Sequence, residues 1–393
     1  DLRARAGRRA ARSSAPVSRF EYFVSALGLR ILGWLFTRLP ARPDRVVLAS
    51  PRKARLDGNL LAIREAIAEA RPTADTVVLA ETYAYGLGGK IRYALRMARA
   101  MYHLRTAGLV VIDNAWLPVH VAPHPARTTV VQVWHAAGAL KRFGVDTVAP
   151  LAEPERTFLH RGYDWVVTSG EASRVPWSRA LRTPLERVAA LGSPRTDLFF
   201  DGAAMAATRA RVLDAHPALR GRRVITYAPT FRGRGRGKRP SGGLDAPRLR
   251  AALDGGDVLV LKSHPNLDPA LVDTTGFDVV VDPADDMNEL LVATDILITD
   301  YSSSIFEWAL LRRPLVLLVP DLAEYERDPG LYLDYRSDMI GTQVGDTDGV
   351  IEAIRADRFD LGPYDDFMAR HLGASDGSSS RRFVERFVPE PSR

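Results

Sequence analysis

Residues 285–306 read DDMNELLVATDILITDYSSSIF, and the periodicity of this stretch decides the fold. Leu290, Leu291, Ala293 and Ile296 fall on the apolar side of a short helix that enters a strand at 296–299. The hydroxyl-rich turn Asp300-Tyr301-Ser302-Ser303-Ser304 then opens a second helix near Ile305. A strand, a turn and a helix N-terminus in that order aim backbone N–H groups and the positive end of the helix dipole at one point, which suits a phosphate. Serine is also a preferred N-cap residue, so the turn taken alone establishes no more than a capped helix.

The same alternation extends in both directions. Apolar runs predict strands at 46–49, 76–80, 109–113, 129–134 and 166–168, with helices at 59–70 and 89–104. A second set follows at 224–228, 258–262, 279–281, 296–299 and 315–318, with a linker expected at 200–222. Short apolar strands alternating with helices predict an α/β fold of two Rossmann-like, doubly wound domains facing a cleft, with ligands at the carboxyl ends of the strands. The expected division is 1–44 for a basic segment and an apolar helix, 45–205 for the first domain and 206–393 for the second. A length of 393 residues fits two cores, since one core rarely grows past ~250–300 residues.

Composition narrows the chemistry. The chain has no cysteine, which excludes disulfides, thiolate metal sites and a cysteine nucleophile. No metal is expected. The net charge of +7 comes largely from arginine and suits phosphate-bearing partners or an anionic membrane surface. Arg3, Arg5, Arg8, Arg9, Arg12 and Arg19 precede the apolar run 20–39, FEYFVSALGLRILGWLFTRL. In that run Phe20, Phe23, Val24, Leu27, Ile31, Trp34 and Leu35 share a helical face, while Glu21, Arg30 and Arg38 interrupt the rest. A spanning helix needs ~20 mostly uncharged residues, so the expectation is a helix lying in a membrane interface, with packing onto the protein body as the alternative. The segment 233–243, GRGRGKRPSGG, is expected to be a mobile basic loop.

Polar groups recur where predicted strands end. His135 follows the strand 130–134, Arg232 follows the strand ending at Ala228, Lys262 and His264 end the strand 258–261, and Ser302 with Ser303 closes the strand ending at Thr299. Arg232, Lys262 and His264 as cationic donors, together with the serine turn, could hold a pyrophosphate and stabilise charge on a departing phosphate. His135, on the other domain, is then placed to take a proton from an attacking hydroxyl. Arg92, Arg96, Arg99 and Arg105, with Lys141 and Arg142, are either an attractor for an anionic acceptor or a solvated face.

The pieces WHAAGALKRFG, LGSPRTDLF, YAPTFR, LKSHP, ELLVATDILITDYSSSIFE and DGSSSRR, in this order, resemble the CDP-glycerol glycerophosphotransferases, which include teichoic acid primases and polymerases. The resemblance covers roughly residues 46–388. It implies a GT-B arrangement, peripheral attachment to the cytoplasmic face of the cell membrane, and no cofactor or required metal. It also implies that a hydroxyl of a lipid-linked or polymeric acceptor attacks the β-phosphate of CDP-glycerol, or of CDP-ribitol or another CDP-polyol, and releases CMP. Carried over by position, His135 is similar to the family's general base. His264, a second catalytic candidate, joins Arg232, Ser302 and Ser303 at the pyrophosphate, with Lys262 added and Asp300 orienting the turn. Glu289, with Asn288 beside it, is similar to the acidic residue that meets the cytidine ribose, and Lys141 and Arg142 fall on the acceptor side. Two departures stand out: Glu307 replaces the Asp of many members, and Ala136-Ala137-Gly138 follows His135 in place of His-Gly-Thr. A GT-B glycosyltransferase using a nucleotide sugar is the alternative. A nucleic-acid partner is not expected, since the predicted strands lack interleaved aromatics and the arginines form no reading helix.

Overall fold

The computed structural model describes residues 19–51, 53–80, 87–148, 151, 155–233 and 237–390. The basic segment before Arg19 and residues 234–236 of the glycine-arginine loop lie outside them.

The first half forms β1 (Arg42–Ser50), β2 (Asp75–Ala80), β3 (Ala107–Ile112), β4 (Thr129–Gln132), β5 (Trp165–Thr168) and β6 (Val188–Ala190), a parallel sheet in the order β2-β1-β3-β4-β5-β6. In the second half a short antiparallel ribbon, β8 (Phe231–Arg232) with β9 (Arg239–Pro240), follows β7 (Arg223–Ala228). Then come β10 (Asp257–Lys262), β11 (Val279–Val281), β12 (Ile296–Thr299), β13 (Leu315–Leu318) and β14 (Thr342–Val344). With β7 they form a second parallel sheet in the order β11-β10-β7-β12-β13-β14. Both sheets are covered on two faces, which is why their central strands are continuous apolar runs: Val46, Val47, Leu48 and Ala49 of β1 are all fully buried.

Strand order locates the ligand sites. A doubly wound sheet opens a crevice where its winding reverses. In the first sheet the reversal lies between β1 and β3, and in the second between β7 and β12.

Three local expectations change. The stretch 200–222 carries the helix Gly202–Ala215 in place of a linker. β4 stops at Gln132, two residues early, because Trp134 takes a left-handed conformation at φ 51°. The flanks of the basic loop pair as the β8–β9 ribbon.

The halves share an apolar seam. Ala137, Leu140 and Phe199 pack with Leu291, Tyr301, Ile305, Phe306 and Tyr335. A Cβ on Gly138 would sit 2.6 Å from the Phe306 ring, so the small residues after His135 allow this close approach. The C-terminal helix Ser379–Phe387 returns to the first sheet, where Phe383 and Val384 pack with Val46, Leu48 and Ile63. Asp197 holds its start by accepting the N–H groups of Ser379 and Ser380 at 3.0 and 2.7 Å.

At the other end, the helix Arg19–Leu35 buries Ala26 and Leu29 against Met101, Leu104 and Val121. Arg30 donates to the Val121 carbonyl at 2.7 Å and Arg105 to the Gly33 carbonyl at 2.8 Å, fastening the helix down. Its opposite face, Phe20, Val24, Leu27, Ile31 and Trp34, is more than half exposed at every position. No helix among the described residues is long and apolar enough to cross a membrane.

Candidate active site

In the first half the switch point is closed by a hydroxyl and a carboxylate. Ser50, ending β1, donates to Asp113, just past β3, at 3.0 Å. Burial raises the Asp113 pKa, with the Ser50 and Asn114 contacts opposing it. The Asp113 carbonyl receives His135 Nδ1 at 3.2 Å. A carbonyl can only accept, so Nδ1 carries the proton and Nε2 is the basic nitrogen. The exposed imidazole lies against Trp134, ring centroids 4.4 Å apart, and the left-handed Trp134 swings it out of the strand line.

The backbone behind His135 is held by two residues the strand-end pattern did not single out. Asn59, at the start of the helix Gly58–Ala70, donates to the Val133 and Trp134 carbonyls at 2.9 and 3.0 Å. Its Oδ1 accepts Ser193 Oγ and the Arg195 N–H, both at 3.0 Å. Arg195, from the LGSPRTDLF piece, donates to the His135 carbonyl at 3.0 Å and reaches into the second half. There it donates to Asn288 Oδ1 at 2.8 Å, and its Nε lies 3.3 Å from Glu307. Glu307 is fully buried; burial raises its pKa and Arg195 lowers it. The Glu307 carboxylate thus anchors the arginine that clamps the His135 loop.

In the second half Asp300 closes the switch point. Its carboxylate accepts the Thr230 N–H at 2.8 Å, the Thr230 hydroxyl at 3.0 Å and Arg232 at 2.9 Å. Arg232 also grips Asp321 with two bonds of 2.6 and 3.0 Å and lies 5.0 Å from both the Tyr301 and Tyr325 ring centres. Burial would lower its pKa, but Asp321 and Asp300 together raise it. With Thr230 also accepting from Nη1, four of its five N–H donors are engaged within the protein. Arg232 is thereby a locked cation whose charge two carboxylates compensate.

The remaining predicted residues divide in two. Lys262 donates to the backbone carbonyls of Asp282 and Asp285, shaping the loop before the helix Met287–Ala293, and burial lowers its pKa to about 8. His264 Nδ1 accepts the Asn266 N–H at 3.1 Å, which places the proton of the neutral ring on Nε2, opposite to His135. The Ser302 hydroxyl pairs with that of Ser304 at 2.8 Å and accepts the Ser304 N–H at 3.2 Å, and Ser303, whose own side chain caps nothing, heads the helix Ser304–Leu311. Lys141 forms an antiparallel bridge with Leu331 and stands 5.9 Å from the Tyr325 ring centre, and burial lowers its pKa to about 8. Arg142 donates from its backbone to Gly330 at 2.9 Å. Two residues do not join the strand-end group. Asn288 is committed to Arg195, and Glu289 pairs with Arg211 at 3.0 Å on the outer side of its helix.

Comparison with known proteins bears on this arrangement. A model of the CDP-Glycerol:Poly(glycerophosphate) glycerophosphotransferase family matches residues 32–388. The teichoic acid ribitol-phosphate primase of Bacillus spizizenii is 31% identical over 89% of this chain and 93% of its own. The teichoic acid poly(ribitol-phosphate) polymerase of the same organism is also 31% identical, over 90% of this chain, which spans 58% of that longer protein. The wall teichoic acid polymerase TagF, at 20% identity, matches with a TM-score of 0.71 over 95% of this chain and 97% of that chain. At that identity it shows the shared fold.

Proposed function

The chain belongs to the CDP-glycerol:poly(glycerophosphate) glycerophosphotransferase family, and from that premise we propose that it transfers a polyol phosphate from a CDP-polyol to an acceptor hydroxyl in teichoic acid or capsular polymer synthesis. The observation that carries the reading is the wiring of His135, whose Nδ1–H is spent on the Asp113 carbonyl so that Nε2 can receive a proton. Ala137, two residues on, shares an apolar cluster with Ile305 and Phe306 of the serine helix, which supports a base and a phosphate cradle that face one another. In this reading the halves form a GT-B pair, with the acceptor on the first and the CDP-polyol on the second.

The acceptor hydroxyl gives its proton to His135 Nε2 as its oxygen bonds to the β-phosphorus. The bond from that phosphorus to the bridging oxygen breaks, and CMP leaves with the electron pair. The start of the serine helix, the Ser302 and Ser303 hydroxyls, His264 and the remaining N–H donors of Arg232 and Lys262 stabilise the charge that moves onto the pyrophosphate oxygens. Asp300 serves by fixing Thr230 and Arg232. Lys141 and Arg142 are assigned to the acceptor side of the seam, while Glu289, turned to Arg211, is given no part. The exposed apolar face of Arg19–Leu35, continued by Ile91 and Leu95, is the face that would meet a membrane. Leu27→Glu with Ile31→Glu should abolish co-sedimentation with anionic vesicles, and unchanged pelleting would remove the membrane from the reading.

The deciding experiment measures CMP release from CDP-glycerol and CDP-ribitol, with and without a membrane fraction as acceptor source. Acceptor-dependent CMP from either donor is expected, and His135→Ala should lower turnover by about 10²–10⁴-fold with donor affinity nearly unchanged. Consumption of sugar nucleotides, with both CDP-polyols silent, would replace it with a glycosyltransferase.

A further inference from the structure

Four arginines of the first half separate once the chain folds. Arg105 is spent on the Gly33 and Pro123 carbonyls. Arg96 lines a cavity of about 230 Å³ with Trp116 and Tyr93. Arg92 stands exposed, and Arg99 turns to the opposite side of β2. There it meets Arg55 and Arg64 around an open groove of about 550 Å³ whose floor includes Leu56, Val78 and Ala80. β2 is the edge strand of its sheet, so the groove lies along an outer border of the first half. No acidic residue is among the described residues lining it.

The groove is joined to the site along the chain. From Arg55 the chain runs to Gly58, where a Cβ would lie 3.6 Å from Arg195 Nη1, the nitrogen that holds the His135 carbonyl. Three guanidinium groups around one open groove, whose Arg55 lies three residues along the chain from Gly58, fit a flexible chain bearing regularly spaced negative charge. We propose that this groove holds the phosphodiester backbone of an acceptor carrying several polyol phosphates, so that its terminal hydroxyl arrives at His135. The inference rests on the transferase reading for the acceptor's identity.

The test uses a fluorescent poly(glycerol phosphate) oligomer of about ten repeats, binding read by anisotropy across a salt series. Wild type should bind it, and the triple variant Arg55→Glu, Arg64→Glu, Arg99→Glu should bind at least tenfold more weakly. The log–log salt dependence should flatten by about 2, at roughly 0.7 per phosphate contact. The triple Gln variant should fall between the two. CMP release with a single-unit acceptor should be the same in wild type and in both variants, since none of the three arginines touches the reacting groups. Oligomer affinity unchanged in the Glu variant, or no binding by wild type, overturns the groove whatever the activity. Tighter binding of a single-stranded RNA of equal charge overturns it in favour of a nucleic acid. Absence of CMP release by wild type with either CDP-polyol strikes the transferase reading instead, and the anisotropy still decides the groove.

Discussion

The two switch points of this molecule are built alike and charged differently. Each is closed by an aspartate at the end of one strand that accepts a hydroxyl from the end of its neighbour or just beyond it: Asp113 from Ser50, and Asp300 from Thr230. Asp300 has Arg232 bonded to it, and Arg232 is bonded in turn to Asp321. Asp113 has a hydroxyl and an amide as its side-chain partners, and burial lifts its pKa. One switch point therefore bonds its carboxylate directly to a cation, as a phosphate site needs, while the other gives its carboxylate neutral hydrogen-bond partners, with Lys53 acting on it at longer range. A base that must accept a proton works best without a strong permanent field, and a leaving phosphate works best within one.

The largest effect expected of this difference is in Arg232. Arg232→Ala should cost about 3–5 kcal/mol of stability, because two carboxylates lose a buried partner. Adding Asp321→Asn should recover part of it. Arg195→Ala should cost less, about 2–3 kcal/mol, since the single carboxylate it leaves, Glu307, can take up a proton in place of remaining charged. In the double variant Arg195→Ala, Glu307→Gln, stability should return while turnover stays low, because the His135 carbonyl has lost its clamp. Chemical denaturation and CMP release on the same preparations would show it. A greater stability loss from Arg195 than from Arg232 would break the contrast.

Much of the frame was legible because central parallel strands are buried on both faces and so appear as apolar runs; β10, β11, β12 and β13 stand within a residue of where their runs predict them. β6 and β14 escaped because short edge strands such as Val-Ala-Ala and Thr-Gln-Val carry no such run. At the site, residue type and strand end pointed to His135, His264 and the serine turn, but not to what each bonds. Arg232 and Lys262 looked like open cations, yet their partners come from Asp321 and from the carbonyls of 282 and 285, positions whose approach only the folded chain creates. Arg195 lay inside a quoted motif without a role for the same reason: Glu307 and Asn288 are distant in sequence. The Ala-Ala-Gly after His135 is explained by contact with Phe306, which no local pattern encodes.

The smallest effect expected is at Asp113. A carboxyl whose folded pKa is raised contributes most to stability below its unfolded pKa and loses that contribution as pH rises through the folded value. At neutral pH the native state therefore bears the cost of a charge that burial disfavours. Asp113→Asn removes that charge, leaves an oxygen to accept Ser50, and keeps the backbone carbonyl that orients His135. It should stabilise the protein at pH 7 by roughly 1 kcal/mol or less, with the gain vanishing near pH 4 and turnover falling little. The corresponding Asp300→Asn should destabilise at pH 7, because it removes the charge that Arg232 requires. Unfolding curves of the two variants should therefore move in opposite directions at pH 7, with Asp113→Asn returning to wild type near pH 4, and a destabilised Asp113→Asn at pH 7 would mean that both switch points depend on fixed charge.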